Sequence, residues 1–331
     1  MKSLILLKNL TVENANAIAG FTWGFPAISN FLGFTHALSR KLNEQQGLSL
    51  GGCAVICHQH NVQAHQPAGW GDYVFSLTRN PLTKKLKSPP FVEEARMHLN
   101  ISLLIECDFT AFDLDFETGT EEQDELLFKR WITEKVYTQR LAGGTITNIG
   151  SIEYLSLPED GEAQHKEQRK LLLRLLPGFV LVDRQDLLQS HHQQRLADQP
   201  DAELLDSWLD FIALKYQVSP DDIQQSPAPT EGEKATWQRI PKPASGWLVP
   251  ITTGYQAISP LYEKGRVART RDASVPFRFV ESVHSIGQWI SPHRISRLDS
   301  IIWQYQHNDD SYLCQNNYSS TLSETTNSES N

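Results

Sequence analysis

The sequence predicts an α+β fold, and three observations carry that expectation. Residues 3–12 open the chain as a strand, because Leu4, Ile5, Leu6 and Leu7 form a short apolar run that passes into alternation at Leu10 and Val12. Residues 97–107 alternate throughout, with Met97, Leu99, Ile101, Leu103 and Ile105 on one face. Residues 121–141 and 165–176 instead repeat their apolar side chains at helical spacing. A sheet with helices packed against it accommodates both periods.

Bulk properties bound what such a chain can be. At 331 residues it can bury one large core or two modest ones, and 40% hydrophobic with 21% charged residues are globular proportions. No run approaches the roughly 18 apolar residues of a membrane span, and the start Met1-Lys2-Ser3-Leu4 has no small-residue cleavage site, so a cytoplasmic location without a membrane partner is expected. Cys53, Cys57, Cys107 and Cys314 are scattered; Cys53 and Cys57 share a strand face but have no second pair, which favours packed reduced thiols over zinc. The net charge of −9 is unevenly spread. Between positions 239 and 297 nine basic residues face three acidic ones, a balance of +6 that leaves −15 to the rest. A basic block on an acidic body points to a localised anion site.

In chain order, the turn Thr22-Trp23-Gly24-Phe25-Pro26 leads into a helical pattern ending near Arg40. Phe31, Phe34, His36, Ala37 and Leu38 give that helix a mostly apolar face, and Ser29 or Asn30 is its expected cap. Gly33 inside a helix costs about 1 kcal/mol relative to alanine, which points to a close backbone approach. Residues 51–58 and 73–77 read as strands, and between them lie His58, His60 and His65, with no carboxylate or cysteine at ligand spacing. The basic, proline-bounded segment that follows carries Arg79, Asn80, Lys84, Lys85 and Lys87 and reads as a projecting hairpin or loop. Asp113 and Asp115 belong to an acidic stretch that favours the start of a helix rather than a metal pair.

In the helix over 121–141, Leu127, Phe128, Trp131, Ile132 and Tyr137 form the buried side and Gly143-Gly144 the stop. Arg140 beside Gly143 and Gly144 is a candidate phosphate contact. The helix over 165–176 sets Lys166, Arg169, Lys170 and Arg174 opposite Leu171, Leu172, Leu175 and Leu176. A strand over 179–182 follows, Asp183 caps the next helix, and residues 202–216 form another with Leu205, Trp208 and Ile212. These helices read as a lateral insertion before a linker rich in proline, glutamine and acid. Gly246-Trp247-Leu248-Val249-Pro250 opens the basic block, whose arginine-rich loop holds Arg266, Arg269 and Arg271 near Phe277, Phe279, Trp289 and Trp303.

The order of motifs resembles one family. Asn14-Ala15-Asn16-Ala17-Ile18, Thr22-Trp23-Gly24-Phe25-Pro26, Gly33-Phe34-Thr35-His36-Ala37-Leu38, Thr78-Arg79-Asn80-Pro81, Arg140-Leu141-Ala142-Gly143-Gly144, Gly246-Trp247-Leu248-Val249-Pro250, Phe277-Arg278-Phe279-Val280-Glu281 and Ser291-Pro292-His293-Arg294 are similar to the Csy-two family. Its members are the Cas-five-like subunits of type I-F CRISPR surveillance complexes, and the resemblance spans about residues 3–305. It implies a ferredoxin-like, RNA-recognition-type core over 1–185 with 244–313, a thumb-like segment at 78–96, a helical insertion at 186–216, a linker at 217–243 and a disordered tail at 314–331.

The implied partners are the 5′ handle of the CRISPR RNA, the large Csy-one subunit as heterodimer, the Csy-three backbone subunit, and target DNA through the assembled complex. Neither a cofactor nor a catalytic or metal residue is assigned. The implied RNA contacts are Trp23 and Phe25 in the aromatic turn, Arg79, Asn80, Lys84 and Lys85 in the thumb, and Arg140, Gly143 and Gly144. In the basic block they are Arg266, Arg269, Arg271, Arg278, His293 and Arg294. Charge along the backbone and aromatic stacking are how single-stranded RNA is held. Two alternatives stand beside this reading: an RNA endonuclease using His58, His60 and His65 for acid–base work, and an adaptor binding protein alone through its acidic remainder.

Overall fold

The computed structural model describes residues 2–76, 81–89, 94–109, 120–219 and 236–318. β1 (Lys2–Asn16), β2 (Ile18–Ala19) and β3 (Thr22–Trp23) lead to α1 (Ile28–Gln46). β4 (Leu50–Val62), β5 (Ala64–His65), β6 (Val74–Phe75) and β7 (Arg96–Cys107) precede α2 (Glu121–Tyr137). Then come β8 (Arg140–Leu141), β9 (Gly144–Leu157), α3 (Gly161–Arg174), β10 (Phe179–Asp183), α4 (Gln185–Asp198) and α5 (Leu204–Ile212). The chain finishes with β11 (Tyr216–Val218), β12 (Trp237–Arg239), β13 (Leu248–Ala257), β14 (Val280–Ile290), 3₁₀ turns at Pro292–Arg294 and Leu298–Ile301, β15 (Gln304–His307) and β16 (Ser311–Gln315).

Ten of these strands make one sheet in the order β15-β16-β13-β14-β10-β4-β7-β1-β9-β8, and each neighbouring pair is antiparallel. The fold is therefore α+β around a large antiparallel sheet. β1 is continuously apolar over Leu4, Ile5, Leu6 and Leu7 because both its faces are covered there. Ile5, Leu7, Leu10 and Val12 join the core under α1 and α2, while Leu4 and Leu6 pack with Leu171 and Leu172 of α3, with Leu175 just past its end, and with Leu298 and Ile301 of the second 3₁₀ turn. α1 touches β4, β13, β8 and β15, strands that stand far apart in the sheet order, so the sheet curls around it. Trp303 closes that curl: it is fully buried, pairs its backbone with Cys53, and donates its indole N–H to the Leu181 carbonyl at 2.9 Å.

Several elements differ in detail from the sequence reading. α1 starts at Ile28 with Ala27 as its cap residue (φ −59°, ψ 144°) and no side-chain cap bond, so Ser29 and Asn30 already lie inside the first turn. Its buried residues are Ile28, Phe31, Leu32, Phe34, Thr35, Leu38, Ser39 and Leu42, while His36 and Ala37 face outward, because the curled sheet takes a broad i, i+3, i+4, i+7 face. Gly33 has open space where a Cβ would stand, so it marks no close approach. In α2, Phe128, Ile132 and Val136 are buried, whereas Leu127 and Tyr137 are exposed. That helix stops at Tyr137; Gly143-Gly144 belongs to the hairpin joining β8 to β9. β9 itself is rich in threonine, asparagine and serine, and it escapes a hydrophobicity reading because an outer strand leaves one face half exposed.

The two glycines of that hairpin have structural uses. Gly143 sits at φ +78° against Asn16, and a Cβ on Gly144 would fall 2.7 Å from both the Glu13 carbonyl oxygen and Val12 Cγ1. The close approach they allow is to β1. Gly144→Ala should therefore cost about 1–3 kcal/mol by overpacking, read as a lower denaturant midpoint at unchanged slope.

α4 and α5 form a small third core with the sheet, where Leu188, Trp208 and Phe211 meet Leu248 and Ile286. Asp183, ahead of α4, accepts hydrogen bonds from the Gln185 N–H and the Ser285 hydroxyl. Asp210 ties the two helices to the chain beyond them, accepting from Arg195 (2.6 Å), His191 (2.8 Å) and Lys215. Burial alone would push its carboxyl up, but the hydrogen bonds of Lys215, His191 and Arg195 outweigh that and hold it down at about 2, against an ordinary 3.8. A depressed acid stabilises the fold above its unfolded value and loses that contribution as pH falls toward 2. Asp210→Asn should cost about 2 kcal/mol at pH 7, and urea midpoints of variant and parent should converge below pH 4.

The ends of the region between α5 and β13 pair as the ribbon β11–β12, with residues 220–235 outside the described ones. Past Cys314 the chain stays ordered to Tyr318, which packs on the α3 side of the core; residues 319–331 lie outside the description.

Candidate nucleic-acid interface

The aromatic turn ahead of α1 is set by the β2–β3 hairpin and by Gly24, whose φ of +105° is a conformation left to glycine. It directs Trp23 and Phe25 toward a cavity of about 360 Å³ whose lining includes His58, His60, Phe179, Trp247, Pro250 and Trp289. The strands explain this convergence: β13, β14, β10 and β4 are consecutive neighbours, and Trp289 shares the face of Leu181 and Ile251, where Gly287 leaves room. Phe25 meets Trp289 edge-on at 4.9 Å and stacks on Phe31 of α1 at 5.6 Å. Phe179 meets Trp247 edge-on at 5.1 Å.

His58 forms a fixed part of that wall. Its Nδ1–H donates to the Pro177 carbonyl at 2.7 Å and its Nε2 lies 2.6 Å from Ser102 Oγ, which itself accepts the Asn9 N–H. Both ring nitrogens are engaged, so His58 is poorly placed to transfer protons. His60 is exposed at the cavity and His65 approaches Ser76 Oγ at 3.5 Å. Among the described residues no three histidine, cysteine or acidic side chains form a metal-holding group. The four cysteines are free; burial pushes each thiol up to about 12, which makes them inert packing groups.

The basic block divides by environment. Lys264, Arg266, Arg269 and Arg271 are exposed on the loop between β13 and β14 and have no ion-pair partner among the described residues. The loop is closed at its base by reciprocal backbone hydrogen bonds between Tyr262 and Phe277, and Phe277 and Phe279 pack edge-on above it. Arg278 is spent differently: it donates to the Asp309 carbonyl and to Asp310, fixing the turn between β15 and β16. Arg297 pairs with Asp299 at 2.5 Å. Asp310 and Asp299, two acids just beyond position 297, thus neutralise part of the positive balance. Arg294 is exposed without an ion pair among the described residues, and His293 approaches Ser291 Oγ at 2.8 Å.

In the segment between β6 and β7, residues 81–89 form an exposed turn. Thr83 clips it by exchanging hydrogen bonds with Lys87, which leaves Lys84 and Lys85 at the tip. Arg79 and Asn80 lie outside the described residues, as do Asp113 and Asp115. Arg140 donates to the Gly143 carbonyl at 3.3 Å, bracing its own hairpin.

The fold therefore gathers Trp23, Phe25, two of the histidines and the Gly246–Pro250 motif into one cavity, and leaves the free arginines on a separate loop. Phe179 and Trp289 complete the cavity; their signal in the sequence was an aromatic residue at the rim of a strand, which strand order alone gives a direction. The description CRISPR-associated protein (Cas_Csy2) belongs to the family model that matches residues 5–314. Over 314 residues the chain is 38% identical to CRISPR-associated protein Csy2 of Pseudomonas aeruginosa (strain UCBPP-PA14), with 92% of each chain covered.

Proposed function

The chain belongs to the Csy2 family of CRISPR-associated proteins and so to type I-F CRISPR defence, and on that premise we propose that it is the non-catalytic subunit that holds the 5′ handle of the CRISPR RNA beside the large subunit of the Csy complex. The observation that carries this reading is the loop with Arg266, Arg269 and Arg271, exposed and unpaired among the described residues of a chain whose net charge is −9. Exposed cations held on a closed loop suit a phosphate backbone. Lys84 and Lys85 at the tip of the 81–89 turn suit the same role in a thumb over 78–96.

A ferredoxin-like, RNA-recognition-type core is supported by strand order. Taking β1, α1, β4, β7, α2 and β9 as the repeating unit, the sheet runs fourth, first, third, second, from β9 through β1 and β7 to β4. The face away from α1 and α2 is covered by α3 and the 3₁₀ turns. RNA would therefore be read by the loops and the aromatic cavity rather than by an open sheet face. The endonuclease alternative loses support from His58, whose ring nitrogens are both engaged.

Photocrosslinking the guide RNA within the assembled complex tests the reading. Adducts on the 262–277 loop and the 81–89 turn, with the RNA intact in the presence of divalent metal, are expected. Copurification of the large subunit after nuclease treatment with no RNA adduct would establish the adaptor, and cleavage of repeat RNA by the isolated chain would establish an enzyme.

A further inference from the structure

We propose that the cavity between β4, β10, β13 and β14 holds one unstacked nucleobase of single-stranded RNA against Trp247 and Trp289. The inference rests on the RNA-binding reading above and specifies where one base goes. At about 360 Å³ the cavity lies near the lower end of the range of about 300–1,000 Å³ for small-ligand sites. Its walls are planar: the Trp247 and Trp289 rings stand 6.2 Å apart at 50°, an open wedge rather than a closed stack. Phe179 and Phe25 brace these two rings by edge contacts, which fixes the wedge before anything enters it.

Idle donors distinguish the occupant. The indole N–H groups of Trp208 and Trp303 are bonded to backbone carbonyls, whereas those of Trp23, Trp247 and Trp289 have no hydrogen-bond partner among the described residues. The His60 ring nitrogens likewise have none among the described residues. An apolar side chain from a protein neighbour would fill the wedge and leave those groups unanswered. A nucleobase presents carbonyl oxygens and ring nitrogens in the same plane as the ring that stacks, so it satisfies both requirements at once. Pro250 and Val249 supply apolar lining beside the tryptophans.

The test uses the full chain in its complex and a guide RNA carrying 2-aminopurine, whose fluorescence is quenched by stacking, at each handle position in turn. One position should be quenched on binding, released by Trp247→Ala and quenched again by Trp247→Phe, with affinity about tenfold weaker in the alanine variant. Trp247 is 49% exposed, so its truncation spares the core. RNA bound normally with no position responding to Trp247 would overturn the cavity's role and leave RNA binding intact. Loss of a protein subunit by Trp247→Ala with unchanged fluorescence would assign the cavity to a protein side chain. Failure of the parent complex to retain RNA would instead overturn the reading on which the inference rests.

Discussion

Reversing Arg266, Arg269 and Arg271 together to glutamate is expected to weaken guide-RNA binding at least about a hundredfold at 0.1 M salt. The magnitude follows from counterion release: each phosphate contact to a single strand contributes about 0.7 to the slope of log affinity against log salt. Three lost contacts lower that slope by about 2. The arginines have no ion pair among the described residues, so their reversal removes no internal bridge. The loop's closure depends on the Tyr262–Phe277 backbone pairing, which the substitutions leave in place. Titrations at several salt concentrations read both affinity and slope. An unchanged slope would remove the loop from the interface, whatever the affinity at one salt. Arg278→Glu should behave differently, lowering stability first, because that guanidinium holds the Asp309–Asp310 turn.

Trp303→Ala is the substitution expected to damage the fold most. The side chain is fully buried in the core, beside Cys53 of β4 and Leu181 of β10, and truncating a tryptophan in such a place costs about 3–5 kcal/mol. The Leu181 carbonyl would also lose its indole donor inside the core, a further cost of about 1–3 kcal/mol. Total stabilities of about 5–15 kcal/mol leave little after that. Chemical denaturation should show a large drop in midpoint, or no cooperative transition. Trp303→Phe keeps most of the apolar area and loses only the hydrogen bond, so it should lie between. A shift under about 1 kcal/mol for the alanine variant would mean that the Cys53–Trp303 seam does not hold the curled sheet.

Legibility in the sequence followed the physical source of each signal. β1 and β7 were readable because their apolar patterns are set by burial within a few residues, and Met97, Leu99, Ile101, Leu103 and Ile105 all join the core under α1 and α2. β9 was not, since its core-facing Ile146, Ile149, Ile152 and Tyr154 are interrupted by threonine, asparagine, glycine and serine, and its place is selected by backbone pairing with β1. The cap of α1 was misplaced because serine and asparagine are good caps only when the backbone departs from the helix at their own position, and here it departs at Ala27. The positive balance between 239 and 297 was legible as composition. Which arginines remain free was not, because the neutralising acids Asp299 and Asp310 arrive from the following segments.

By itself the sequence determined the family, the mixed fold class, the identity of β1 and β7, and the exposed arginine loop, all of which depend on residue order or on interactions among near neighbours. Only the tertiary structure decided the site. Trp23 and Phe25 are more than 200 positions from Trp247 and Trp289, and they meet because antiparallel pairing makes β4, β10, β14 and β13 neighbours in a sheet that curls around α1. Hydrogen-bond pairing between distant strands selects those neighbours, and no local pattern of side chains encodes it. The same closure turned Gly143 and Gly144 from an open anion cradle into a hairpin packed on β1, since backbone contact with β1 occupies the space a phosphate would need.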